Sequence, residues 1–173
     1  GAHSVDALLK QMITVSSNEA ANGLLSRIGN GDDKAAIATV TAIAQRYGFT
    51  SSEELRTLTG MASGNAVENW TSTRDCGSFL SQVYAGTLVS KNASERMMQL
   101  LLGQTRRTKI PAGVPSGVKV ANKTGELAAV QNDVVIVFGT HPYVLAVMSN
   151  DISSAVAPSQ ITELSRAVWD AAQ

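Results

Sequence analysis

The apolar residues of this chain change their period once, and that change decides the fold class. Up to about residue 108 they recur at the spacing of about 3.6 residues that marks amphipathic helices. After Pro111 they alternate or run together as in strands, and a last helical stripe follows. Val5, Leu8, Leu9, Met12 and Ile13 predict a first helix. Ser16-Ser17-Asn18 interrupts it, because serine and asparagine compete for backbone hydrogen bonds and favour a new N-cap. Ala21, Leu24, Leu25 and Ile28 predict a second helix, closed by Gly29-Asn30-Gly31. Ile37, Val40, Ala44 and Tyr47 predict a third, ending at Gly48.

Residues 49–70 lose this periodicity, and a short helical turn over Ser52–Leu58 followed by a loop is expected. Thr71 or Ser72 caps a fourth helix with Cys76, Phe79, Leu80, Val83 and Tyr84 inward. Asn92 and Glu95 read as a capping box for a fifth, carrying Met97, Met98, Leu101 and Leu102. Val118 and Val120 then lead a strand that ends at Asn122-Lys123-Thr124-Gly125. Val134–Phe138 and Tyr143–Met148 form a hairpin across Gly139-Thr140-His141-Pro142. Pro158 opens a last helix with Ile161, Leu164, Ser165, Val168 and Trp169 inward. Helices, then three strands, then one helix imply an α+β fold. A single domain over 1–173 is expected, mainly helical over 1–108 and sheet plus helix over 109–173.

Composition excludes several classes of function. Fourteen basic residues balance fourteen acidic ones, which leaves no electrostatic reason to expect nucleic acid or an anionic membrane as partner. No apolar run reaches the roughly 18 residues of a membrane span. Two histidines and one cysteine, Cys76, fit no metal-ligand spacing, so neither metal nor cofactor is expected. Cys76 reads as a packed thiol and His141 as an inert turn residue.

Two short strings carry the chemistry. Ser16-Ser17-Asn18 lies between helices, and Lys123-Thr124-Gly125 lies on a strand. Alone, each has a plain structural reading, as helix caps and as a strand end. In this order, with helices between them, they resemble the S-D-N and K-T-G motifs of class A β-lactamases and penicillin-binding proteins, with Ser17 in place of aspartate. The flanks extend the likeness. Ile13-Thr14-Val15 precedes the first motif, Thr71-Ser72-Thr73-Arg74-Asp75 resembles the helix start after the active-site loop, Ile110-Pro111-Ala112-Gly113 resembles the entry to the K-T-G strand, and Asn132-Asp133-Val134 the strand after it.

The resemblance implies acyl-serine chemistry on a β-lactam or a D-alanyl-D-alanine cell-wall peptide. It gives Ser16 the relay of a proton to the leaving nitrogen and Lys123 the positive charge beside Ser16 and the substrate carboxylate. Thr124 would bind that carboxylate, and Asn18 the substrate's side-chain amide. The Glu126 N–H would supply half of an oxyanion hole, and Gly125 would let substrate approach the strand. An extracytoplasmic location follows from those substrates alone.

Three features depart from the family pattern. The nucleophile motif S-x-x-K lies upstream of S-x-N in the family, and only 15 residues precede Ser16 here. The one such string, Ser116-Gly117-Val118-Lys119, stands directly before the K-T-G strand and reads as chance. A fragment of a longer protein, inactive alone, is therefore expected; a module that keeps the cradle without chemistry is the alternative. Glu68-Asn69 does not match the E-x-x-L-N loop that drives deacylation. No arginine occurs between Gly125 and Arg166 to clamp a carboxylate, leaving Arg106 or Arg107 as substitutes. In the family the Tyr143–Met148 strand pairs with a first strand, so an uncovered edge and self-association through it, or through the last helix, are expected.

Overall fold

A computed structural model describes residues 3–58 and 67–173. The chain forms two compact units, Gly1–Asp75 and Cys76–Gln173. Among the described residues the order is helices, a three-stranded antiparallel sheet, then a helix, the α+β arrangement that the change of period predicts. The sequence places its internal change of character between residues 108 and 109. Within the second unit the fifth helix packs on the first strand, and the ring of Tyr84 in the fourth helix meets that of Phe138 in the second strand at 5.9 Å.

The N-terminal unit is built on α1 (Val5–Thr14), α2 (Asn18–Ile28) and α3 (Asp33–Arg46), each packed on the next. Each begins at a side-chain cap: Ser4 accepts from the Ala7 N–H, Ser17 from Ala20 and Asp32 from Ala35. Leu8, Ala20, Ala21, Leu25 and Ala36 are buried, while Val5 and Ile28 of the predicted stripes are exposed. The α2–α3 turn requires glycine at position 29. A Cβ there would stand 2.0 Å from the Asp32 carbonyl oxygen.

The helical turn expected over Ser52–Leu58 does not form. That stretch is irregular, with one antiparallel bridge between Glu53 and Trp70. Side chains from elsewhere take the amides a helix would have used: Thr41 Oγ1 accepts from the Glu54 N–H at 2.9 Å, and Asn69 Oδ1 accepts from Leu55 and Arg56 at 2.8 and 2.9 Å. The part of the expected loop over residues 59–66 lies outside the described residues.

The fourth helix, α4 (Thr73–Ala85), is capped by Ser72, whose Oγ accepts from the Asp75 N–H. Asp75, buried, in turn accepts from the Ser51 N–H and the Ser52 hydroxyl, both at 2.8 Å.

The C-terminal unit continues with α5 (Lys91–Leu102), a 3-10 turn (Ile110–Gly113), β1 (Lys119–Leu127), β2 (Val130–Phe138), β3 (Tyr143–Val147) and α6 (Ala157–Ala172). The cap of α5 is Ser90, accepting from Ala93, and not the predicted Asn92–Glu95 box; the serine two residues earlier captures the first free amide. The strands are ordered β1-β2-β3, with Asn122 opposite Val135, Thr124 opposite Asp133 and Glu126 opposite Gln131. Val120, Val135 and Val137 share one face with Asn122, Thr124 and Asp133, since side chains alternate along a strand. This face meets Ile110, Val114 and Ile161 in the core. Ser165 anchors α6 to the turn through the Ile110 carbonyl at 2.8 Å. Leu164 is 47% exposed and Tyr84 49%, so both predicted inward stripes are narrower than the periodicity implied. At the foot of α6, Ser165 fills the close contact instead. A Cβ at Gly113 would meet its Cβ at 2.6 Å and the Thr162 carbonyl at 2.4 Å.

Candidate active-site elements

Ser16 and Asn18 belong to the N-terminal unit. Lys123, Thr124, Gly125 and Glu126 belong to the C-terminal one. In the first, α1 ends at Thr14 with Val15 as its C-cap and α2 starts at Asn18 after its N-cap Ser17, which leaves Ser16 to reverse the backbone. Ser16 does so with φ +58°, in the left-handed region that L residues other than Asn and Asp rarely occupy. The Ser17 N–H returns to the Gln11 carbonyl at 3.2 Å. Ser17 caps α2, performing in place of aspartate the task that aspartate performs equally well. The N-cap of α2 is therefore Ser17, and Ser16 follows the C-cap of α1. Asn18 is the exposed first residue of α2 and Ser16 holds a strained reversal, a conformation that concentrates at functional sites.

One helical turn beyond Asn18, Asn22 accepts from the Leu58 N–H at 2.8 Å and ties the following loop to α2. No local pattern singles this residue out. Glu68 is ion-paired to Arg56 at 2.7 Å. Asn69 donates to Glu54 at 3.1 Å. Burial pushes the Glu54 carboxyl above its usual range, against the Asn69 hydrogen bond and the Arg56 charge.

In the C-terminal unit, Lys123-Thr124-Gly125 lies inside β1 rather than at its end. Two further residues, Glu126 and Leu127, continue the ladder to the turn. Thr124 and Glu126 share the core-side face; Lys123 and Gly125 are on the other. Burial holds the Lys123 ammonium below its usual pKa; the Arg106 and Lys109 charges act in the same sense, and Glu126 and Asp133 oppose it. The Thr124 hydroxyl oxygen is buried and makes no hydrogen bond among the described residues. A buried hydroxyl without a partner is costly.

Behind β1 lies a polar network that sequence reasoning missed. Lys109 is 1% exposed and donates to Glu126 Oε1 at 3.0 Å and Gln131 Oε1 at 3.3 Å. Arg106 reaches the other Glu126 oxygen at 2.6 Å. Asp133, fully buried, accepts from the Ile110 N–H at 3.0 Å and the Asn122 amide at 3.1 Å. Burial pushes the Asp133 carboxyl up to about 6, although the hydrogen bonds from Asn122 and Ile110 and the Lys109 charge oppose it. Neither arginine considered as a carboxylate clamp is uncommitted: Arg106 holds Glu126 and Arg107 donates to the Val120 carbonyl at 3.3 Å. The S-x-x-K string Ser116–Lys119 forms the turn before β1, with Gly117 at φ +91°.

Among the described residues, no group of three or more His, Cys, Asp or Glu side chains is placed to hold a metal ion, and no helix is long and apolar enough to cross a membrane.

Comparison with known proteins follows the same lines. No curated protein matches the chain in sequence. Solved structures match its fold over almost its entire length. PBP-A is 25% identical with a TM-score of 0.85, over 98% of this chain and 61% of that one. A beta-lactamase from Sphaerobacter thermophilus is 24% identical with a TM-score of 0.88, over 98% and 64%. The TLA-3 extended-spectrum beta-lactamase is 23% identical with a TM-score of 0.88, over 98% and 64%. The chain thus spans about three fifths of the length of these structures. The sequence profile described as "Beta-lactamase enzyme family" matches residues 2–172. With both motifs in their order on the expected elements, and that profile running from one end to the other, the chain belongs to the beta-lactamase enzyme family.

Proposed function

We propose that this chain forms part of a serine hydrolase that acts by acyl transfer on β-lactams or D-alanyl-D-alanine peptides. Thr124 carries the reading: a buried hydroxyl with no protein partner among the described residues, on the strand that also bears Lys123, is suited to a carboxylate. Both substrate classes present one. In this reading Ser16 relays the proton to the leaving nitrogen, and Lys123 supplies positive charge to the substrate. Thr124 binds the carboxylate, Asn18 the side-chain amide, and the Glu126 N–H one lobe of the oxyanion hole. Gly125 leaves room at the strand. A PBP-A variant, 24% identical to this chain, has been solved as an acyl-enzyme complex with penicillin G, which supports the choice of substrate. Substrates of this kind place the protein outside the cytoplasm.

Labelling of the full-length protein with a fluorescent penicillin tests the reading. Covalent adduct in the unsubstituted protein, strongly reduced in Ser16→Ala and Thr124→Val, is expected; no adduct at any serine sinks it. The second reading is a cradle without chemistry. Noncovalent penicillin binding without adduct would select it. The apolar β3 edge, unpaired on its outer side among the described residues, is also proposed to associate with a second copy.

A further inference from the structure

Lys109 is the largest fully buried side chain of the molecule's described residues, and it is charged. An ammonium removed from water is tolerated only where anions and acceptors compensate it. Its two acceptors, Glu126 and Gln131, face one another across the β1–β2 ladder. Glu126 lies two residues beyond Thr124 on the same face of β1, about 7 Å along the strand. Its carboxylate is 30% exposed, so its charge is only partly screened. Left uncompensated there, it would repel any anion brought to Thr124.

We propose that Lys109 is a positioning residue that neutralises and orients the Glu126 carboxylate, so that the carboxylate of a β-lactam or cell-wall peptide can be held at Thr124. The inference rests on the function proposed above and extends it to a residue that touches no substrate. Arg106 assists from the exposed side, but only Lys109 reaches both strands of the hairpin. The electrostatic link is consistent with the Glu126 carboxyl. Burial alone would raise its pKa, yet the Lys109 hydrogen bond and the charges of Lys109, Arg106 and Lys123 hold it below the usual carboxylate range.

The test has two arms. In this chain, nuclear magnetic resonance follows the titration of the Glu126 carboxyl, which should move upward in Lys109→Met and stay in place in Lys109→Arg. In the full-length protein, the concentration dependence of penicillin labelling is measured. Lys109→Met should weaken apparent affinity about tenfold, less at high salt, with little change in the limiting rate. Lys109→Arg, or Glu126→Gln added to Lys109→Met, should restore it. A fall in limiting rate without a fall in affinity, or failure of Glu126→Gln to rescue Lys109→Met, overturns the proposal. An unmoved Glu126 titration in Lys109→Met overturns it without any substrate. Absence of labelling in the unsubstituted protein sinks the functional reading and the substrate half of this one; the Glu126 titration still decides the other half.

Discussion

Asp133→Asn removes a carboxylate that is wholly out of water. The folded state holds this group up at about 6, against an ordinary value of 3.8. An acid that is weaker when folded destabilises the fold as it ionises. Below about pH 3 it is protonated in both states and the contribution is absent. As pH rises from 3.8 to about 6 the unfolded chain ionises first, and stability falls. Above about 6 the loss is complete at about 3 kcal/mol, from about 1.4 kcal/mol per pH unit. Asparagine does not titrate, but its single oxygen cannot serve both the Ile110 N–H and the Asn122 amide. The variant therefore loses about 1–3 kcal/mol at every pH. The stability gap between the two proteins should accordingly be widest at about pH 3 and should shrink, or reverse, by about 3 kcal/mol on reaching pH 7. Urea unfolding of both proteins at half-unit steps measures it, and carboxylates common to both cancel in the difference. A gap constant from pH 4 to pH 7 refutes the buried, weakened acid.

Four other perturbations bear on the structure. Gly113→Ala should destabilise by about 1–3 kcal/mol in thermal or urea unfolding, because its Cβ would meet α6 backbone at 2.4 Å. Ser17→Ala should cost about 1 kcal/mol through loss of the α2 cap. Ser16→Gly should stabilise the chain by up to about 1 kcal/mol while abolishing acyl transfer in the full-length protein, since it relieves a positive φ and removes the proton relay. Analytical ultracentrifugation should show the isolated chain self-associating, and Val144→Lys on the β3 edge should return it to monomer; a clean monomer at high concentration excludes the edge contact.

The helices and strands were legible because their apolar residues repeat, and repetition survives without knowledge of partners. What failed was single-position detail. The predicted inward set of α6 included Leu164, whose exposure reflects the narrow strip that the 3-10 turn covers. The segment after α3 is shaped by Thr41 and Asn69, side chains 13 or 14 residues from the amides they hold, and no local pattern announces them. The motif residues were found because they are contiguous. The Lys109, Glu126, Gln131 and Asp133 network was missed because it is assembled by strand register from residues that look like ordinary surface charges. The one available signal was lysine directly before Ile110-Pro111, a charge at the mouth of an apolar run.

The alternation of that network with valines along β1 and β2 has a consequence for how the hairpin is assembled. Sliding β1 by a single residue would turn Asn122 and Thr124 out of the interior and drive Lys123 into it. Such a misaligned pairing would strand an ion among hydrocarbons, whereas a uniformly aliphatic ladder would accept the slip with little complaint. The polar rungs thereby act as a proofreading code, rejecting wrong alignments of the very strand that bears Lys123 and Thr124.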